Sequence, residues 1–354
     1  GVVGFAQWLP WALFALPAGA LADRFDRKRL MVVCDAVRAI AAGSIVGALL
    51  IGDPPFLQIA AAAFLDGSLL VTSYVCERGA LRQVVTSDQL QDAVAQNETR
   101  TFTANIAGPP LGGVLFSLSR FLPFVADTIS FLCSIAALSL TRSAFQPVSA
   151  AGPRPGRRAE LAGGFQWLWR HPFFRTASLL FGAANPVFTG LYLLAILLAE
   201  RHGATPAAVG AMLAVAGTGG VLGALAAPRL RRGISPRAAI TAANWLLVAV
   251  VPLLLLAHAA IVIGLIVGAA EFPTPLVIAA VAGSRVAAAP DHLQGRVQAA
   301  ATLLAMSLGW LGPLAIGLAF QQTGPTPTIM FVLGWALVLA TVATLAPALR
   351  TDPK

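Results

Sequence analysis

Eleven apolar runs, each 18 to 27 residues long, follow one another through this chain: 1–20, 30–51, 56–76, 101–118, 122–141, 173–199, 206–227, 238–257, 260–282, 297–320 and 328–347. A helix needs roughly 20 apolar residues to cross the hydrocarbon core of a bilayer. No water reaches that core, so a crossing segment must satisfy its backbone as a helix or as part of a closed barrel. These runs are continuous and do not alternate apolar with polar, which argues against a barrel. Turn signals separate them, among them "GDPP" at 52–55, "HGATP" at 202–206 and "QQTGPTP" at 321–327. The pattern predicts an all-α, multi-pass membrane protein.

Charge then sets orientation. Only 11% of the chain is charged, against 57% hydrophobic. The segments 21–29, 77–100, 142–172, 228–237, 283–296 and the tail from 348, with Arg175 at the edge of its run, hold 21 of the 24 Lys and Arg. Arg120 and Arg201 fall in the intervening loops, and Arg38 falls within a run. An excess of cations marks cytoplasmic loops, so the central linker and the C-terminus are expected on the cytoplasmic side of the cell (inner) membrane. The net charge of +9 does not point to nucleic acid, because the cations sit in short loops and not on one face of a domain. Cys34, Cys76 and Cys133 all lie in apolar runs, without a CxxC, so neither a disulfide framework nor a metal site is expected. HExxH, GxSxG and GxxxxGK[ST] are absent and the four His are scattered. An integral membrane enzyme is therefore disfavoured, and no cofactor motif is present.

An internal repeat divides the runs. "GALADRFDRKR" at 19–29 returns as "GALAAPRLRRG" at 223–233. "DQLQDAV" at 88–94 returns as "DHLQGRV" at 291–297. Gly108, Pro109 and Gly113 match Gly312, Pro313 and Gly317. The spacing is 203 or 204 residues throughout and spans six runs, an even number, so the two copies share one membrane orientation. That is a parallel repeat of two six-helix halves. Eleven runs leave the first half one short, so residues 1–20 are expected to be the second helix of a twelve-helix plan whose first helix is missing. The expected division is an N-terminal bundle over 1–142, a cytoplasmic linker with an interfacial segment over 143–172, and a C-terminal six-helix bundle over 173–354. In the linker, "FQWLWRHPFF" at 165–174 is expected to set Trp167 and Trp169 at headgroup level.

With these residues in view, the chain resembles the major facilitator superfamily, in particular the branch with enterobactin exporters and macrolide efflux proteins. "GALADRFDRKR" is similar to the family signature between its second and third helices, although Asp26 stands where the signature has Gly. "GPPLGG" at 108–113 is similar to the end of the antiporter signature, although Ala104 replaces its upstream glycine. The resemblance implies an inner gate built from Gly19, Asp23, Arg24, Arg27 and Lys28. In it Asp23 would cap a helix N-terminus of the other half and pair with a cation. It also implies an antiporter-type helix motif at Gly108, Pro109, Gly112 and Gly113.

Charges inside the runs are costly in lipid and mark functional or paired positions. Asp35 and Arg38 lie three apart on one helix face and read as a structural ion pair. Asp66 and Glu271 lie mid-run, and at the repeat spacing they fall one residue apart. They are the candidates for carrying an exchanged proton, with a helix-packing hydrogen bond as the competing role for each. Asn185, Phe188 and Tyr192 belong to a helix that, by the resemblance, lines the cavity. The expected function is secondary, proton-coupled efflux of a small amphipathic compound, such as a drug or siderophore, by alternating access. The protein would act as a monomer, with a small-molecule substrate, protons and the lipid bilayer as partners. A transport-inactive sensor or truncated relative of the same fold is the alternative.

Overall fold

The computed structural model describes residues 1–84, 100, 104, 108, 111–141, 145, 157–230, 233–290 and 293–350. Among the described residues the elements are helices, without a strand. Among the described residues nine helical segments are long and apolar enough to cross a membrane, and Val2–Phe14 is a shorter apolar stretch. Cα packing divides the chain into two compact units. The N-terminal one is built from Val2–Ala104 and Val114–Arg154, the C-terminal one mainly from Pro155–Lys354.

In the N-terminal unit the helices are α1 (Val2–Arg24), α2 (Arg27–Ile51), α3 (Phe56–Val84) and α4 (Leu122–Leu140), and residues 114–118 are helical too. α1 packs along α3, and α2 packs on both α3 and α4. Gly67 makes the first crossing possible, since a Cβ there would press on the Gln7 carbonyl. α4 buries none of its residues. Apolar side chains such as Leu50, Ile51, Leu57 and Leu140 point outward, as they can where lipid and not water is the solvent.

In the C-terminal unit α5 (Arg157–Arg170) leads into α6 (Pro172–Arg201), α7 (Pro206–Leu230) and α8 (Pro236–Val250), which a 3-10 turn extends to Leu255. α9 (Ala260–Glu271) and α10 (Thr274–Ala288) follow, then α11 (Gln294–Met306), α12 (Leu311–Thr323) and α13 (Pro325–Leu345). α7 packs on α9, α8 on α13, α6 on α12 and α5 on α11.

Helix boundaries and packing partners repeat at the sequence spacing. Val2 and Pro206 open α1 and α7, and Phe56 and Ala260 open α3 and α9. Val84 and Ala288 close α3 and α10. Each pair is 204 positions apart. The contact of α1 with α3 becomes that of α7 with α9, and the contact of α2 with α4 becomes that of α8 with α13.

Among the described residues two of the runs are broken. The run 260–282 is α9 and α10 joined at Phe272 and Pro273, and the run 297–320 is α11 and α12 joined over 307–310. Proline explains both. Pro273 and Pro275 carry no N–H, so the carbonyls of Ala269 and Glu271 lose their helical donors; Pro313 does the same to Gly309.

The linker segment differs from the sequence expectation. Trp167 is buried and its ring stacks on His171 at 3.9 Å, whereas Trp169 is half exposed. Two residues apart on a helix is about 200°, so the two indoles cannot share a face. Gly164 brings α5 against the Arg296 backbone of α11, which pulls the Trp167 face into the unit.

Candidate functional site

Two intramembrane carboxylates of the N-terminal unit gather on one arginine. Arg38 of α2 donates from Nε to Asp66 of α3 at 2.8 Å, while Asp35, one turn away, is 4.0 Å from its Nη1. The Phe131 ring lies 4.4 Å from the guanidinium carbon, and Ser134 donates to Asp35 at 2.6 Å. The sequence pairs Arg38 with Asp35; the structure gives Arg38 its shorter bond to Asp66. Neighbours three apart on a helix need both side chains bent to meet, whereas Asp66 arrives directly from the facing helix. Asp66 is thus a partnered carboxylate. Asp127, at the outer end of its run by sequence, is an exposed residue of α4.

The loop motif is a set of helix caps within this unit. Asp26, the departure from the family signature, is the N-cap of α2 and accepts from the Arg29 N–H at 2.8 Å. Arg27 donates from Nε to the Ala22 carbonyl near the end of α1 at 3.2 Å. Lys28 donates to the Thr141 carbonyl at 2.7 Å and to that of Ser139 at 3.3 Å, where α4 ends. Cations at helix C-termini meet the negative end of the helix dipole. Gly19 is buried and Arg24 exposed. The side chain of Asp23 lies outside those described, and so does Pro109 of the antiporter-type motif. Gly108 and Gly112 of that motif have open space where a Cβ would stand, and Gly113 is half-buried.

The C-terminal unit contains a cavity of about 390 Å³ between α6, α8, α10 and α11. Asn185 and Phe188 of α6 line it, as do Asn244 of α8 and Glu271 where α9 ends. Tyr192 does not line it; one turn beyond Phe188, it packs against the hydrophobic core. Arg285 and Gln298 line it too. Glu271 closes α9 and Arg285 lies in the last turn of α10, 14 positions further along the chain.

The polar groups of this cavity fall into two kinds. Arg285 is buried and donates to the Gln298 side chain, which in turn donates to Thr302 at 3.3 Å. Glu271 has neither a cation nor a hydrogen-bond partner among the described residues. Asn185 sets Nδ2 3.9 Å from the Met306 sulfur, and its Oδ1 is buried without a partner. A buried acceptor with nothing to accept costs on the order of 1–3 kcal/mol, and a ligand N–H or O–H would relieve that cost.

Backbone geometry holds Asn185 in place. The Thr189 hydroxyl lies 2.8 Å from the Gly309 carbonyl, the one that Pro313 deprives of its helical donor. A Cβ at Gly309 would collide with Asn185 Oδ1. The missing side chain at Gly309, in the break between α11 and α12, therefore makes room for the amide. Sequence reading missed Arg285, Gln298 and Asn244. Arg285 read as one more loop cation, and nothing in a single sequence sets α8 beside α6.

The family model described as "Transmembrane secretion effector", of the major facilitator type, matches residues 1–352. A "Multidrug efflux pump Tap" of Mycolicibacterium fortuitum is 27% identical over 370 residues, covering 99% of this chain and 87% of the relative. Among solved structures, an inward-facing bacterial homolog of the human lysosomal transporter Spinster aligns with a TM-score of 0.71 at 16% identity, covering 99% of this chain and 89% of that one. The nucleoside transporter NupG aligns at 0.69 and 14% identity, covering 97% and 88%. Continuous apolar helices, a repeat 204 residues long and a match over almost the whole sequence agree: the chain belongs to the transmembrane secretion effector family of major facilitator superfamily transporters.

Proposed function

We propose that this transporter exports a small amphipathic compound in exchange for entering protons, by alternating access, and that Glu271 carries the proton. The observation that carries this reading is a carboxylate without a partner among the described residues, facing a mainly apolar cavity of about 390 Å³. A carboxyl group without a fixed counter-ion is free to exchange a proton as the cavity changes sides, and a substrate amine can take the same place. Asn185 supplies an acceptor for a substrate donor, and Phe188 an aromatic wall. Asp66 is the structural member of the original pair, because Arg38 already balances it. A small number of polar groups on an apolar wall is the usual make-up of a pocket that orients a drug-sized ligand. The Tap relative is named a multidrug efflux pump, which supports the direction of transport.

In this reading the bundles are residues 1–142 and 173–354, joined by a cytoplasmic linker over 143–172. The C-terminus is also cytoplasmic, the protein acts as a monomer in the cell membrane, and the loop motif at 19–28 serves the inner gate. Drug accumulation in everted membrane vesicles tests the proposal. Glu271→Gln is expected to reduce gradient-driven uptake to background while the protein inserts normally; Asp66→Asn is expected to lower protein yield instead. Uptake by Glu271→Gln at the parent rate, or parent uptake indifferent to collapse of the proton gradient, rejects the coupling.

A further inference from the structure

Two histidines meet at the end of the C-terminal unit remote from the linker. His202 follows α6, which starts beside the linker and runs the length of the unit. His258 follows the 3-10 turn that ends α8. Both are exposed, and their ring centres are 5.0 Å apart with the planes inclined at 58°. Neither belongs to the cavity, and neither has a part in the proposed transport step.

Both rings stand on fixed backbone. The His202 N–H reaches the carbonyls of Leu198 and Ala199, each at 3.1 Å. Gly203 then turns with φ of 78°, its N–H reaching Glu200 at 2.9 Å while that of Ala204 reaches Ala199 at 3.0 Å. That double closure is the glycine-dependent helix stop, which needs the left-handed conformation at Gly203. On the other side the Leu256 N–H reaches Leu253 at 3.1 Å, and Ala257 is buried.

The decisive detail is the hydrogen bond of His258. Its Nδ1 lies 3.0 Å from the Leu256 carbonyl. A carbonyl only accepts, so Nδ1 carries the hydrogen, and the neutral ring keeps its lone pair on Nε2. Imidazoles that ligate metals are oriented in this way, with the far nitrogen donating to a carbonyl or carboxylate. Two imidazoles on one tetrahedral ion, with metal–nitrogen bonds of about 2.1 Å, have ring centres about 5 Å apart.

We propose that His202 and His258 form a two-imidazole site for a divalent first-row transition-metal ion of the Zn²⁺, Ni²⁺ or Cu²⁺ class, which imidazole nitrogen suits. No group of three His, Cys, Asp or Glu side chains completes a metal site among the described residues. Water fills the remaining positions, and the ion exchanges readily. A bound ion ties the α6–α7 turn to the α8–α9 turn.

Competition of the purified full chain against a chromophoric chelator for Zn²⁺ measures the site. The parent is expected to hold one ion more than the double variant His202→Ala/His258→Ala. Each single variant should weaken that binding at least ~10-fold. The double variant should be little weaker than either single one, since one imidazole cannot chelate. Cu²⁺ spin resonance gives a second reading: two coupled nitrogens in the parent, one in each single variant. Both residues are exposed, so size-exclusion elution should not change. Equal Zn²⁺ binding by parent and double variant, or a nitrogen pattern that the single variants leave intact, overturns the proposal.

Discussion

Asp66 and Glu271 occupy almost the same place in the two copies of the repeat, yet their surroundings are opposite. Asp66 lies in the unbroken α3 and receives a 2.8 Å bond from Arg38. Glu271 ends α9 at a proline kink, faces a cavity and has no partner among the described residues. At the repeat spacing Arg38 corresponds to Ala242 and Asp35 to Ala239, so the C-terminal copy holds neither member of the charged pair. Leu69 and Val71 correspond to Pro273 and Pro275, so only that copy has the break. One helical plan thus gives a carboxylate paired with an arginine in one half and one that faces a cavity, without a partner among the described residues, in the other. A charge inside a bilayer protein either has a counter-ion supplied by the chain or waits for one from outside.

Exchange of the two chemistries breaks this comparison most strongly. Arg38→Met strands Asp66 and Asp35 without their cation and is expected to cost on the order of 3 kcal/mol, since loss of one member of a buried pair leaves an uncompensated charge. Thermal unfolding in detergent reads this as a lowered midpoint, and adding Asp66→Asn should restore most of it. Glu271→Gln removes no partner and should stay within about 0.5 kcal/mol of the parent. A large loss of stability there would mean that Glu271 is structural as well.

Next in size come the close crossings. A Cβ at Gly219 or Gly223 would collide with the backbone at Gly268 or Phe272, as one at Gly67 would with Gln7, whereas Gly220 and Gly47 have open space. Alanine at the first three should cost about 1–3 kcal/mol by forcing the helices apart. At the last two it should cost nothing measurable, the better helix propensity of Ala being available without a clash. Equal effects at Gly219 and Gly220 would show that the α7–α9 crossing is looser than its geometry.

The smallest effect belongs to the loop motif. Lys28→Ala removes a cation from the end of α4 and is expected to cost about 0.3–1 kcal/mol, diminishing as salt is added. No loss at low salt would leave the cation with topology alone. Asp26→Ala, which removes the α2 N-cap, should cost about 1 kcal/mol whatever the salt.

Much of the fold was legible because lipid leaves few choices. An apolar run of the right length must be helical, so among the described residues nine of the eleven runs return as helical segments fit to cross a membrane, two of them broken by a proline, and α1 carries a shorter apolar stretch of another. The repeat was legible because like positions keep like residues where helices touch or turn, as at Gly19 and Gly223. The breaks at Pro273 and over 307–310 were less legible, since a proline in an apolar run reads as a kink or as a helix end equally well. The linker was misjudged at Trp167, where amphipathic composition hid the fact that one face of α5 enters the core.

The sequence by itself determined that this chain is a set of membrane-crossing helices written as two copies of one plan, because hydrophobic length and repeated residues are local properties that no later packing can reverse. Tertiary structure decided which carboxylate is balanced and which is not. That outcome depends on whether a side chain from another helix comes within about 3 Å. No spacing along the chain records how α2 turns Arg38 toward α3, or how α6, α8, α10 and α11 enclose the space in front of Glu271.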